Sequence, residues 1–252
     1  MAFASGNPAL SVLDRVERGT FDATQDNTMT VQGTINKLFI LAGIALITAT
    51  FAWSQFKAAP QMMYGLLIGG LIGGLVFSLI TSFKPQVAHI TAPIYAAFEG
   101  LFLGALSVVV AAAFPQDPII LQATGITFAI LFAMLGCYKT GLIKPTEKFK
   151  AFMAAAIGGI MLLYIVNWTM YLFGARVPFL HTATPLGIGI SLFIVGIASL
   201  TLILHFDHIE RAASANLPRQ YEWYGAFGIM VTLVWLYLEV LRLLIILSSQ
   251  RD

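Results

Sequence analysis

The chain has 252 residues, of which 58% are hydrophobic and 10% charged, with a formal net charge of +2 and a mean hydropathy of +0.84. An ordinary soluble domain carries about 25% charged residues, so a globule of this composition could not solvate its own surface, and the sequence predicts an all-α integral membrane protein. The near-neutral charge contains no basic block suited to nucleic acid, and the single cysteine, Cys137, excludes an intrachain disulfide framework.

Residues 1–33 are polar and mixed in charge, with Asp14, Glu17, Asp22 and Asp26 and no early apolar core. They read as a tail that is flexible or lies on the membrane surface, with a short amphipathic helix near 8–18. No signal peptide is expected, and the first span would act as its own insertion signal. Residues 34–252 form the membrane domain. Seven apolar runs follow one another near 36–56, 62–83, 88–114, 118–142, 149–174, 180–207 and 222–248, each long enough to cross a hydrocarbon core of about 30 Å. Polar, proline-bearing segments separate them: Lys57-Ala-Ala-Pro60, Lys84-Pro85, Pro115-Gln-Asp-Pro118, Lys144 to Lys150 and Arg176-Val-Pro178. A longer polar connection, His208 to Tyr221, joins the sixth run to the seventh. Period-two alternation is absent, which argues against a β-barrel.

Basic residues set orientation. Ten fall on the side of the N-terminus (Arg15, Arg18, Lys37, Lys84, Lys139, Lys144, Lys148, Lys150, Arg211, Arg219) and three on the other (Lys57, Arg176, Arg251). The N-terminus is therefore expected in the cytoplasm and, with seven spans, the C-terminus outside.

The second run contains GLLIGGLIGGLVFS, in which Gly65, Gly69 and Gly73 make one four-residue ladder and Gly70 and Gly74 begin another. Small residues at this spacing let helix backbones approach closely, so tight packing within the bundle is expected, with a dimer interface as the alternative. Gly100 and Gly104 in the third run suit the same role. Pro93 and Pro185 are placed inside the third and sixth runs, where each removes a backbone hydrogen bond and can kink the helix.

A charge at the centre of a membrane helix costs about 2.5–3.5 kcal/mol on insertion scales, so each one should be paired, protonated or turned toward a wet cavity. Glu99, in YAAFEGLFLG, has no basic neighbour within one turn. It is either a protonated, hydrogen-bonded acid or a pathway acid for protons or cations. Glu239 and Arg242, in VWLYLEVLRLLIIL, share a helical face at (i, i+3). They form either a self-neutralising pair, with Arg242 reaching toward the interface, or part of a gate. The sixth run ends LHFDHIER, with His205 and His208 three apart, and Glu210 and Arg211 three and four residues beyond Asp207. This is either a solvated helix end or a pH-responsive element in which a histidine tunes Asp207. The His spacing is a weak zinc signal, and no metal or cofactor is expected. No HExxH, GxSxG or P-loop is present, so a non-enzyme is expected.

Together, FDHIE at the end of the sixth run, WLYLEVLRLL in the last, MTVQGTINKLFIL leading into the first and YAAFEGLFLGALS in the third resemble the Bax inhibitor-1 family of multispan proteins, and its bacterial branch in particular. The resemblance covers roughly residues 29–248. It implies a seven-helix bundle in which the last helix is central, and a calcium leak regulated by pH through two acidic residues, one on each of the last two helices. Asp207 and Glu239 match them by position. Two carboxylates in one site cannot both ionise cheaply, and they titrate as a unit. Here Glu239 stands where the family often has aspartate. A straight last helix also puts Glu239 about 24 Å from the face where Asp207 sits. The two carboxylates meet only if Ala212 to Phe227 runs partly along the interface or if the sixth helix unwinds. Otherwise Glu222 is the nearer partner of Asp207. Arg242 is the candidate counter-ion.

The expected function is thus a pH-sensitive, calcium-permeable leak channel or transporter-like protein in a bacterial inner membrane, in contact with the lipid bilayer and with calcium or protons. The rivals are a non-conducting regulator or scaffold that binds another membrane protein, such as a quality-control protease, and a proton-coupled solute transporter.

Overall fold

The computed structural model describes residues 28–174 and 184–249. Most of the N-terminal tail, Arg176, Pro178, His181 and Arg251 lie outside the described residues, so the expected helix at 8–18 is not addressed. Among the described residues, seven helices are long and apolar enough to cross a membrane: α1 (Val31–Ala58), α2 (Met63–Phe83), α3 (Ala88–Ala113), α4 (Ile119–Lys139), α5 (Glu147–Leu172), α6 (Pro185–Ser214) and α7 (Tyr221–Ser248). Large apolar side chains such as Phe39, Tyr64, Phe83, Leu162 and Phe193 are exposed on their outer faces, as a protein solvated by lipid requires.

Local chemistry sets the helix ends. Thr30, Thr146 and Thr184 are N-caps in extended backbone, each hydroxyl accepting from the amide three residues on (Gly33, Phe149 and Gly187). Pro60 and Pro85 each open a single 3-10 turn between helices. Helix α4 ends on Gly141, whose φ of +69° allows Gly141 N–H to donate to the Tyr138 carbonyl and Leu142 N–H to that of Cys137. These are the paired bonds of a Schellman cap. Helix α6 ends in the same way on Asn216, at φ +52°, with Asn216 N–H donating to Ala213 and Leu217 N–H to Ala212.

That second cap corrects one expectation. The segment from His208 to Ser214 is helix, not connection, and only residues 215–220 link α6 to α7. The small and apolar residues around the polar ones, Ile209, Ala212 and Ala213, keep the helix going, and Ile209 and Ala212 are buried. Pro185 is also not inside a span. It is the first residue of α6, where its missing N–H has no partner to lose. Pro93 does lie within α3.

Helix α7 is the most buried of the seven. It packs on α6, α1, α4 and α3, and its side chains reach α5 through Trp235. It is the core helix around which the others stand. Helix α3 packs closely on α1 and on α2, and glycine makes both contacts possible. A Cβ at Gly100 would lie 2.2 Å from the Ala45 carbonyl oxygen of α1, and one at Gly104 would lie 2.4 Å from that of Ala49. On α2, a Cβ at Gly70 would meet the Phe102 backbone at 2.6 Å, one at Gly73 the Phe98 ring and one at Gly74 the Glu99 carboxylate. The expected ladder is therefore split. Gly70, Gly73 and Gly74 are packing positions, whereas Gly65 and Gly69 have nothing within 4 Å, because they lie on the side of α2 turned away from α3.

Candidate functional site

Among the described residues the ion-paired side chains fall into three clusters, two of them on the seam where α5, α6 and α7 meet. The first is centred on Glu239, which is 5% exposed. Its Oε2 lies 2.9 Å from Arg242 Nη2, as the (i, i+3) spacing on one helix allows. Its Oε1 accepts from the Tyr164 hydroxyl of α5 and from Trp235 Nε1 at 3.3 Å. Arg242 in turn donates from Nη1 to the Tyr164 hydroxyl at 2.8 Å and from Nη2 to Ser191 Oγ of α6 at 3.3 Å. The guanidinium also stands 5.7 Å from the centre of the Tyr164 ring. Three helices thus converge on one carboxylate–guanidinium pair.

The second cluster is centred on Asp207 of α6. Arg211, one turn further on, is paired with its carboxylate, and Lys150 of α5 approaches to 3.8 Å. Lys150 also holds Glu147 at 2.7 Å. Glu210, on the adjacent face of α6, accepts from the Tyr138 hydroxyl of α4.

Between these levels the seam is apolar. Met153 and Ile160 of α5 pack against Ile194 and Ile197 of α6, with Trp235 of α7 against them. The separation follows from helix geometry. Arg242 is anchored at Ser191 and Lys150 at Asp207, and Ser191 and Asp207 are sixteen residues apart on α6, about 24 Å. On α5, Tyr164 and Lys150 are fourteen apart, about 21 Å. The shared site of Asp207 and Glu239 that the resemblance implies is not formed, as the straight-helix spacing anticipates. Both routes by which it could occur are closed, since α6 is continuous from Pro185 to Ser214 and α7 rises directly from Tyr221. Among the described residues Arg242 pairs with Glu239 and with no other acid.

The third cluster removes the other expected partner of Asp207. Glu222, 1% exposed, accepts from the backbone N–H and the hydroxyl of Thr30, each at 3.0 Å. It also pairs with Lys37 Nζ at 2.8 Å and approaches Arg219 at 3.9 Å. Gly33 makes room for this carboxylate, since a Cβ there would fall 1.9 Å from Oε1. With Met29 N–H donating to the Leu217 carbonyl at 2.7 Å, Glu222 joins the start of α1 to the start of α7.

His205 and His208 line a cavity of about 390 Å³ with Ser78 and Ser82 of α2 and Tyr224 and Thr232 of α7. His205 Nε2 is 2.8 Å from Thr232 Oγ1. Among the described residues no cluster of three or more His, Cys, Asp or Glu side chains is placed to hold a metal ion. Glu99 on α3 lies against Gly74 of α2 and has no ion-pair partner among the described residues.

Sequence reasoning did not find Tyr164, Ser191, Trp235 or Lys150 as partners of the two acids. Each is unremarkable in its own run. Only Tyr164, a lone hydroxyl in the apolar stretch MLLYIV, offered a signal. Comparisons with curated proteins and with solved structures found no match. The family model described as Bax inhibitor 1 like matches residues 7–249. That match spans nearly the whole chain, including every residue of the three clusters, and the protein belongs to the Bax inhibitor 1 like family.

Proposed function

We propose that this protein is a pH-sensitive, calcium-permeable leak protein of a bacterial inner membrane, with its N-terminus in the cytoplasm, and that the conformation described is a closed one. The observation that carries the proposal is the layering of the α5–α6–α7 seam. A buried carboxylate–guanidinium lock stands at Glu239 and Arg242, an apolar plug at Met153, Ile160, Ile194 and Ile197, and a second ionic lock at Asp207, Lys150 and Arg211. Ionisable groups inside a membrane are costly and mark ion pathways by default, and apolar constrictions close such pathways by excluding water. Helix α5, which contributes to all three layers, packs mainly on α6, so its displacement would open the seam. In this reading the two acids are serial elements, each paired with its own cationic partners, and Glu99 and the His205–His208 cavity are accessory polar sites. Calcium flux into dye-loaded proteoliposomes tests the proposal, with Glu239→Gln and Asp207→Asn compared with wild type. Absent flux at every pH between about 6 and 8, with folded protein, would rule out conduction.

A second reading, a non-conducting regulator of another membrane protein, is favoured by one observation. Gly65 and Gly69 leave the outer side of α2 open, and close backbone approach by a partner helix fits there. Co-purification that is lost on Gly65→Leu or Gly69→Leu, in a protein without flux, would support this reading in place of the first.

A further inference from the structure

We infer that a groove between α1 and α4 binds one anionic phospholipid from the leaflet on the side where α1 begins. Both helices pack on α7 but not extensively on each other, which leaves an opening of about 780 Å³, within the size range of pockets that hold a small organic ligand. Its walls are apolar, with Leu38 and Phe39 on α1 and Leu131, Phe132 and Leu135 on α4, and its floor includes Leu233 of α7. Phe39 and Phe132 are exposed, so the opening faces the lipid.

Its length identifies the occupant. The groove runs from Val31 and Lys139 at one end to Ala42 and Phe128 at the other, eleven residues along each helix, or about 16 Å. That is half of a hydrocarbon core of about 30 Å. An acyl chain of one leaflet has this reach, whereas a spanning helix would need the whole depth.

The mouth supplies the charge. Lys139 and Lys144 line it, both are exposed, and neither forms an ion pair among the described residues. The left-handed Gly141 turns the chain so that Lys144 lies back over the end of α4, its Cε 3.7 Å from the position of a Gly141 Cβ. The one acid on the lining, Glu210, already accepts from Tyr138. A basic mouth above an apolar slot between helices is the arrangement that holds anionic headgroups. This inference is independent of whether the protein conducts ions.

Native mass spectrometry of the full-length protein tests it, with phosphatidylglycerol and phosphatidylcholine of identical acyl chains as probes. Wild type should retain phosphatidylglycerol with a preference of roughly tenfold. Lys139→Ala with Lys144→Ala should abolish the preference, and Lys148→Ala, on the same side of the bundle but off the groove, should not. Equal retention of the two lipids, a preference that survives the double variant, or equal loss with Lys148→Ala would overturn the proposal. A photo-crosslinking residue at Leu135 gives a second measurement in native membranes. Adducts enriched in phosphatidylglycerol, relative to those from the same residue at exposed Leu162 of α5, support the site. Adducts to residues 1–27 or to a second copy of the chain would assign the groove to those occupants and contradict it.

Discussion

Arg242 on α7 donates a 2.8 Å hydrogen bond to the hydroxyl of Tyr164 on α5, and that hydroxyl donates to the carboxylate of Glu239. This relay changes what the (i, i+3) pair is. A local pair would neutralise itself on one helix surface and leave its neighbours free. Here the acid and the base both hold a group from another helix, so the charges cannot separate without moving α5 against α7.

The separation of Glu239 from Asp207 makes the two locks energetically independent. Sites more than about 10 Å apart with no shared partner add within roughly 0.5 kcal/mol. The stability changes of Glu239→Gln and Asp207→Asn, measured by denaturation in detergent, should therefore sum to that of the double variant. A coupling energy well above that margin would mean that the two carboxylates share a site.

The apolar layer between the locks should control leak without carrying charge. Ile197 is buried against α5, and Ile197→Ser places a hydroxyl where water is excluded. If dewetting helps to close the seam, this variant should raise calcium flux several-fold while its folding is retained. Unchanged flux would remove the layer from the pathway.

Glu222 should matter for stability. Lys37→Met takes away the cation 2.8 Å from a carboxylate that is 1% exposed and leaves Arg219, at 3.9 Å, as its charged partner. Breaking one side of a buried pair costs about 3–5 kcal/mol, which corresponds to a fall in Tm of roughly 6–20 °C for a chain of this size. Thermal unfolding in detergent checks the value, and a shift of less than about 2 °C would show that Thr30 and Arg219 satisfy the carboxylate without Lys37.

The glycines separate by the same kind of measurement. Gly100→Ala puts a methyl group 2.2 Å from the Ala45 carbonyl oxygen, which only separation of α1 from α3 can relieve, at a cost of about 1–3 kcal/mol. Gly65→Ala meets nothing and should be neutral or stabilising by up to about 1 kcal/mol. Equal losses in the two variants would mean that the open side of α2 is covered.

Hydropathy made the seven spans legible, because a run of some twenty apolar residues has few other fates in a chain this poor in charge. The end of α6 was not, since DHIERAAS reads as polar while Ile209 and Ala212 bury one side of a continuing helix. Asn216 followed by Pro218 was the stop signal. Glu239, Arg242 and Asp207 stood out because a charge in an apolar run is rare. Their partners could not be read, since Tyr164, Ser191 and Lys150 become neighbours only through the packing of α5 on α6, which leaves no spacing in the sequence. Gly65 and Gly69 show the same limit. Their spacing matches that of the packed glycines, and only the direction from which α3 approaches distinguishes the two sets.

Calcium flux into proteoliposomes, recorded for wild type, Arg242→Gln and Glu239→Gln between about pH 6 and 8, tests the central claim most directly. Removing Arg242 frees a carboxylate that attracts cations, and removing Glu239 frees a guanidinium that repels them. Both variants also break the lock that holds the seam closed, so a leak in wild type that is faster in both, and faster in Arg242→Gln than in Glu239→Gln, is the predicted result. No flux in folded wild type at any pH, or a leak unchanged in both variants, would contradict it.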